Sequence, residues 1–136
     1  MNVCDVMTSR PTTVMSDTTI AEALKTMRGL GCHHLPVMSV EKHLIGVISF
    51  HDCQRVLGDS LPGMKSPLNS TYSSQMPVSS AMTAAPIIVE PDAPAYEAAR
   101  LMLEQFIGCL PVMRGETLVG IITCSDLLMA FMHLSQ

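Results

Sequence analysis

Apolar residues fall at helical spacing twice along this chain, and each time the same strand pattern follows. Ile20, Ala23, Leu24, Met27 and Leu30 recur at intervals of three or four, which predicts an amphipathic helix. Ala95, Ala98, Ala99, Met102 and Leu103 repeat that spacing with smaller residues, suited to close packing on a sheet. Helix-start chemistry precedes both, at Asp17-Thr-Thr and at Pro91-Asp-Ala-Pro94. The run "LPVM", a polar turn, and then "LIGVIS" or "LVGIIT" follow each helix and predict a hairpin. Each last strand leads into a short apolar helix, over 51–57 and 124–134. With the β-rich runs "TTV" and "IIV" ahead of the long helices, each half reads strand, helix, strand, strand, helix.

The two halves are one unit written twice. At a shift of 75, fourteen of the first 38 positions are identical, among them Met7, Thr8 and Pro11 with Met82, Thr83 and Pro86. One residue is lost in the hairpin turn, and Leu44, Gly46, Ile48 and Asp52 then meet Leu118, Gly120, Ile122 and Asp126 at a shift of 74. An internal repeat of this length controls the fold assignment. It divides the chain into repeat one (1–57), a Gly-, Pro- and Ser-rich connector (58–75) and repeat two (76–136). The connector is long for a compact domain, so a turn of helix or a mobile stretch is expected within it. One repeat leaves an apolar sheet face uncovered, so the two are expected to fold together.

Composition narrows the function classes. The 136 residues are 48% hydrophobic and include twelve Met and no Trp, which points to an aliphatic and thioether core. Only eight Lys and Arg are spread along the chain and the net charge is -4, against a nucleic-acid footprint. No apolar run reaches the roughly 18–20 residues of a membrane span, and "MNVCDVMTSRP" carries no signal-peptide core, so a cytoplasmic location is expected. The five Cys (Cys4, Cys32, Cys53, Cys109, Cys124) are odd in number and lack C-x-x-C spacing, which speaks for reduced thiols and against a zinc knuckle. His33, His34 and His51 or His133 show no familiar metal-ligand spacing, so no metal is expected. Nucleophile elbow, P-loop and Ser–His–Asp arrangement are all missing, and no enzymatic activity is expected.

The candidate chemistry lies in a repeated heptapeptide, "GVISFHD" at 46–52 and "GIITCSD" at 120–126. Ser49-x-x-Asp52 and Thr123-x-x-Asp126 have the spacing of a capping box, with Asp in place of Glu, and an acid in the first turn suits the helix dipole. The same arrangement suits a nucleotide. Free amides at a helix start attract phosphate, and a carboxylate can grip the paired hydroxyls of a ribose. The two roles can coexist.

The order "DVMT…P…V…D…TIAEA…M…LPV…LIGVIS-x-x-D", present in both halves, resembles the cystathionine β-synthase (CBS) domain family in its tandem-pair form, the Bateman module. The resemblance covers the chain apart from the connector. It implies a mixed α/β (α+β) fold of two β-α-β-β-α repeats packed about a pseudo-twofold axis. It also implies an adenosine-containing ligand, such as AMP, ADP, ATP, S-adenosylmethionine or a dinucleotide, held between repeats and reported to a partner protein.

Carried over residue by residue, the resemblance implies two composite clefts. Cleft one pairs Thr123, Ser125 and Asp126 with Thr8, Thr12, Thr13, Cys32, His33 and His34. Cleft two pairs Ser49, His51 and Asp52 with Thr83, Ile87, Ile88, Ile107, Gly108 and Cys109. On this assignment cleft one holds two imidazoles, with Arg10 close by in sequence, and is the expected phosphate site. An AMP-like monophosphate or an uncharged adenosyl group fits this sparse basic charge better than ATP does. No cofactor is required. The expected protein is a stand-alone regulatory module acting on a partner polypeptide in trans. The apolar helices also lead us to expect a homodimer. The competing reading is a ligand-independent dimerisation or protein-interaction module whose two motifs only cap helices.

Overall fold

The computed structural model describes residues 1–58 and 73–136, so residues 59–72 of the connector lie outside the described residues. In chain order the elements of repeat one are α1 (Val3–Val6), β1 (Thr8–Ser9), β2 (Val14–Met15), α2 (Ile20–Leu30), β3 (His34–Met38), β4 (Leu44–Ser49) and α3 (Phe50–Leu57). A 3-10 turn (Val78–Ser80) then leads to β5 (Thr83–Ala84), α4 (Ala95–Gln105), β6 (Cys109–Arg114), β7 (Thr117–Thr123) and α5 (Cys124–Leu134). The fold is mixed α+β.

These elements form two compact units whose limits differ from those of the repeats. One is continuous, Thr12–Ala85, and the other is discontinuous, Met1–Pro11 with Pro86–Gln136. The continuous unit holds a four-stranded sheet of order β2-β3-β4-β5 and the discontinuous unit a three-stranded sheet of order β1-β7-β6. Each repeat therefore gives its first residues to the other repeat's hairpin. Thr8 and Ser9 pair antiparallel with Ile121 and Gly120, and Thr83 and Ala84 pair with Val47 and Gly46. The exchange covers a strand edge whose amides and carbonyls would otherwise lack partners. Just before each exchanged strand the backbone bonds anchor the segment, Val3 N–H to the Ala93 carbonyl at 2.8 Å and Val78 N–H to the Thr18 carbonyl at 2.8 Å.

Each unit has its own aliphatic core. Ile20, Leu24, Met27, Leu35, Val37 and Ile48 pack together in the continuous unit, joined by Val78 from the exchanged segment. Val3 of the exchanged segment joins Val89, Ala98, Met102, Leu110, Val112 and Ile122 in the other. The apolar periodicity thus finds its helices: α2 spans the expected residues, and α5 covers 124–134 as expected. Its start is refined, because Thr19 and not Asp17 caps α2, the Glu22 N–H donating to Thr19 Oγ1 at 3.1 Å. The early β-rich runs are shorter than expected. Only Val14 of "TTV" lies in a strand, and "IIV" keeps a single parallel bridge, Val89 to Val112.

Candidate ligand-binding site

The heptapeptide begins with glycine because another chain segment crosses there. A Cβ on Gly120 would stand 3.0 Å from the Thr8 carbonyl oxygen, and one on Gly46 would stand 2.9 Å from that of Thr83. Beyond each crossing the chain turns sharply, with Arg10 at φ 49° and Ala85 at φ 47°, a left-handed conformation that costs non-glycine residues energy. The crossing brings a threonine beside each motif. Thr8 sits next to Ile121 on β7 and Thr83 next to Val47 on β4.

Each heptapeptide then ends in a complete capping box. The Asp52 N–H donates to Ser49 Oγ and the Ser49 N–H to Asp52 Oδ2, both at 3.0 Å. In the second copy the Asp126 N–H donates to Thr123 Oγ1 at 3.3 Å and the Thr123 N–H to Asp126 Oδ2 at 3.0 Å. The cap engages Oδ2 of each carboxylate and leaves Oδ1 to other partners. On Asp126 that partner is Thr8, whose Oγ1 donates at 3.3 Å, while Thr123 Oγ1 also lies 3.2 Å from Oδ2. Two hydroxyls and a carboxylate from residues 118 apart in sequence thus converge in the discontinuous unit. On Asp52 the partner is Arg55, at 3.1 Å.

The residues just before "LPV" lie beside the hydroxyl of their own repeat. His34 pairs with Ser49 and Cys109 with Thr123 across the hairpins. The His33 carbonyl accepts the Phe50 N–H at 2.8 Å, and the Gly108 carbonyl accepts the Cys124 N–H at 3.1 Å. The His33 ring meets the edge of Phe50 at 5.9 Å, and the Arg28 guanidinium lies 5.8 Å from the Phe50 ring. Burial holds the His34 imidazole below its usual pKa, aided by repulsion from His33 and opposed by the nearby Asp52 carboxylate. Burial likewise pushes the Cys109 thiol up to about 12, reinforced by Asp126 and Cys124, so it stays protonated and inert near neutral pH. Cys53, raised to about 11 chiefly by burial, is inert for the same reason.

The expected site residues fall into two groups by unit. Thr8, Ile87, Ile88, Ile107, Gly108, Cys109, Thr123, Ser125 and Asp126 belong to the discontinuous unit. Thr12, Thr13, Cys32, His33, His34, Ser49, His51, Asp52 and Thr83 belong to the continuous one. Each expected cleft therefore draws on both units. Within a unit, the expected pairing of Thr8 with Asp126 is a direct hydrogen bond, and Thr83 shares a sheet with Ser49. The imidazoles of His33 and His34 share a unit with Asp52, whereas Arg10 shares one with Asp126. Reasoning from sequence passed over Arg55, although its place three residues after Asp52 on one helix is a signal for an ion pair. Among the described residues no group of three or more His, Cys, Asp or Glu is arranged to hold a metal ion, and no helix is long and apolar enough to cross a membrane.

Comparisons with known proteins agree with this fold. The CBS domain model matches twice, over residues 3–59 and 78–133. A CBS domain-containing protein of Dictyostelium discoideum is 36% identical over 119 residues, covering 85% of this chain and 81% of that protein. The AcuB protein of Vibrio cholerae has a solved structure 31% identical to this chain, with a TM-score of 0.82, covering 99% of this chain and 93% of the other. CBSX2 of Arabidopsis thaliana, a CBS-pair protein solved in complex with AMP, is 27% identical with a TM-score of 0.80, covering 99% of this chain and 98% of the other. With two copies of the motif, two matching family segments and a shared fold, the chain belongs to the CBS domain family.

Proposed function

We propose that this protein is a regulatory module that binds an adenosine-containing ligand, AMP-like by preference, and passes its occupancy to a partner protein. The observation that carries this reading is the convergence of Thr8, Thr123 and Asp126, from opposite ends of the chain, on one carboxylate with hydroxyl neighbours. Ribose presents a pair of hydroxyls, and a carboxylate oxygen already bonded to a hydroxyl is arranged to accept another. The complex of CBSX2 with AMP supports the same ligand class. A ligand can act on a partner only through unequal affinity for two arrangements of the protein, so signalling requires that binding at Asp126 favour one of them.

Thermal unfolding in the presence of adenosine, AMP, ADP, ATP and S-adenosylmethionine tests this directly. A ligand at 100 times its dissociation constant is expected to add about 2.7 kcal/mol of stability, with AMP ahead of ATP. If none of these compounds shifts the transition, the motifs are helix caps and the ligand-independent interaction module replaces this reading.

A homodimer fits the distribution of exposed apolar side chains. Leu128, Met129, Phe131, Met132 and Leu134 on α5 are more than half exposed, and so are Tyr96 and Leu103 on α4. Phe106, in a left-handed conformation at the end of α4, is 94% exposed. So many exposed apolar side chains on two helices of one unit call for a covering surface. Light scattering is expected to give twice the 14.7 kDa of one chain, and a mass of one chain at micromolar concentration would contradict it.

A further inference from the structure

Position by position, the two hydroxyl–carboxylate motifs differ in what holds the second carboxylate oxygen. Oδ1 of Asp52 accepts from Arg55 Nη2 at 3.1 Å, one turn along α3. The Asp52 side chain is 15% exposed and that of Arg55 is 63% exposed, so a sheltered carboxylate meets a guanidinium that stays in solvent. At the shift of 74, Met129 of α5 stands where Arg55 stands in α3. Among the described residues Oδ1 of Asp126 instead accepts from the Thr8 hydroxyl alone, at 3.3 Å, long for an O–H···O bond. Neighbouring positions differ in the same sense. His51 corresponds to Ser125 at that shift, and His34 corresponds to Cys109 at the shift of 75.

We propose that the two motifs are unequal: Asp126 is the carboxylate that grips ribose, and Arg55 latches Asp52, so that the chain holds one adenosyl ligand tightly and a second more weakly. The inference rests on the adenosyl-binding reading above. A diol arriving at Asp126 exchanges one loosely held neutral hydroxyl for another, and the released Thr8 hydroxyl can bond the ligand in turn. A diol arriving at Asp52 must displace or share a charge-assisted bond, which is stronger than a neutral one. The repeat therefore preserves the cap in both copies while a single helix position, Arg55 or Met129, decides whether the carboxylate is open.

Titration calorimetry with AMP, and separately with adenosine, distinguishes the two sites. Wild type is expected to show a tight site followed by a weaker one. Asp126→Asn is expected to leave only the weaker site, and Asp52→Asn to keep the tight one. Adding Arg55→Met to Asp126→Asn is expected to strengthen the remaining site, by up to about fivefold for a single partly exposed ion pair. Met129→Arg in the otherwise unchanged chain is expected to weaken the tight site by a similar factor. Arg55 and Met129 lie outside the capping boxes, so neither substitution removes a cap; because Met129 is on the exposed apolar face of α5, Met129→Arg is scored only where light scattering gives the same mass as wild type. A tight site that survives Asp126→Asn, or affinities untouched by both Arg55→Met and Met129→Arg, would overturn the inequality and leave adenosyl binding standing. Absence of any binding of AMP or adenosine to wild type would overturn both.

Discussion

Gly120→Ala is expected to destabilise the protein by roughly 1–3 kcal/mol, the range for forcing an extra carbon into a packed site. The new Cβ would stand 3.0 Å from the Thr8 carbonyl oxygen, which belongs to backbone and cannot swing away like the end of a flexible side chain. The Met7 sulfur is also in the way. Relief requires β1 to move off β7, which breaks the pairing of Thr8 with Ile121 and of Ser9 with Gly120. It also withdraws the Thr8 hydroxyl from Asp126. Gly29→Ala is the control. That glycine lies within α2, a Cβ there meets nothing within 4 Å, and alanine in a helix is favoured over glycine by up to about 1 kcal/mol. Urea midpoints should therefore move in opposite directions for the two variants. Equal midpoints for Gly120→Ala and wild type would show that the exchanged segment does not hold its place on β7.

Asp126→Ala is expected to weaken AMP binding by about 10- to 150-fold, the equivalent of losing hydrogen bonds to a charged acceptor. It also removes the carboxylate half of the capping box, which accepts the Thr123 N–H, at a cost of about 0.5–1.5 kcal/mol in stability. The two effects are separated by Thr19→Ala. That substitution removes the bond from the Glu22 N–H to the cap of α2 and touches no ligand residue. Both variants should lose comparable stability, and only Asp126→Ala should lose affinity, as read by titration calorimetry at a temperature where both are folded. Equal affinities in the two variants would reduce Thr123-x-x-Asp126 to a cap.

Local elements were legible because side-chain periodicity reports them directly. The three- and four-residue spacing from Ile20 to Leu30 and the hydroxyl–acid pairs Ser49–Asp52 and Thr123–Asp126 each act within a few residues. The exchange of leading segments was not legible in the same way. Periodicity marks neither β1 nor β5, which are exposed two-residue strands (Thr8–Ser9 and Thr83–Ala84), and Thr8 and Asp126 lie 118 residues apart. Glycine at the third residue before the cap hydroxyl was the available signal. Gly46 and Gly120 recur between β-branched neighbours, a mark of close backbone approach in a strand. The resemblance supplied Thr8 and Thr83 as site residues, and the pairing of β1 with β7 and of β5 with β4 shows how the chain brings them to the motifs. Arg55 was missed because attention to the repeated positions hides those where the repeats disagree.

Those disagreements carry the specific chemistry of this chain. Arg28, Gly31, His34, His51 and Arg55 of repeat one meet Leu103, Phe106, Cys109, Ser125 and Met129 in repeat two. At four of these five positions the continuous unit carries a basic side chain where the discontinuous unit carries a neutral one. Repetition fixes the scaffold, and divergence along matching helix positions distinguishes the two sites.

The exchange of leading segments also sets a timetable. Residues 12–85 contain every strand of their unit, so that sheet can close as soon as they leave the ribosome. Residues 1–11 are made before residues 117–123 and have no sheet to join until β7 is complete. During that interval Val3 and Met7 must wait with their apolar surface exposed. Closing so long a loop delays pairing, and a second chain nearby could offer its own β7 in the meantime. Within the discontinuous unit a strand made late thus receives a segment made early, and the sheet closes only when the two meet.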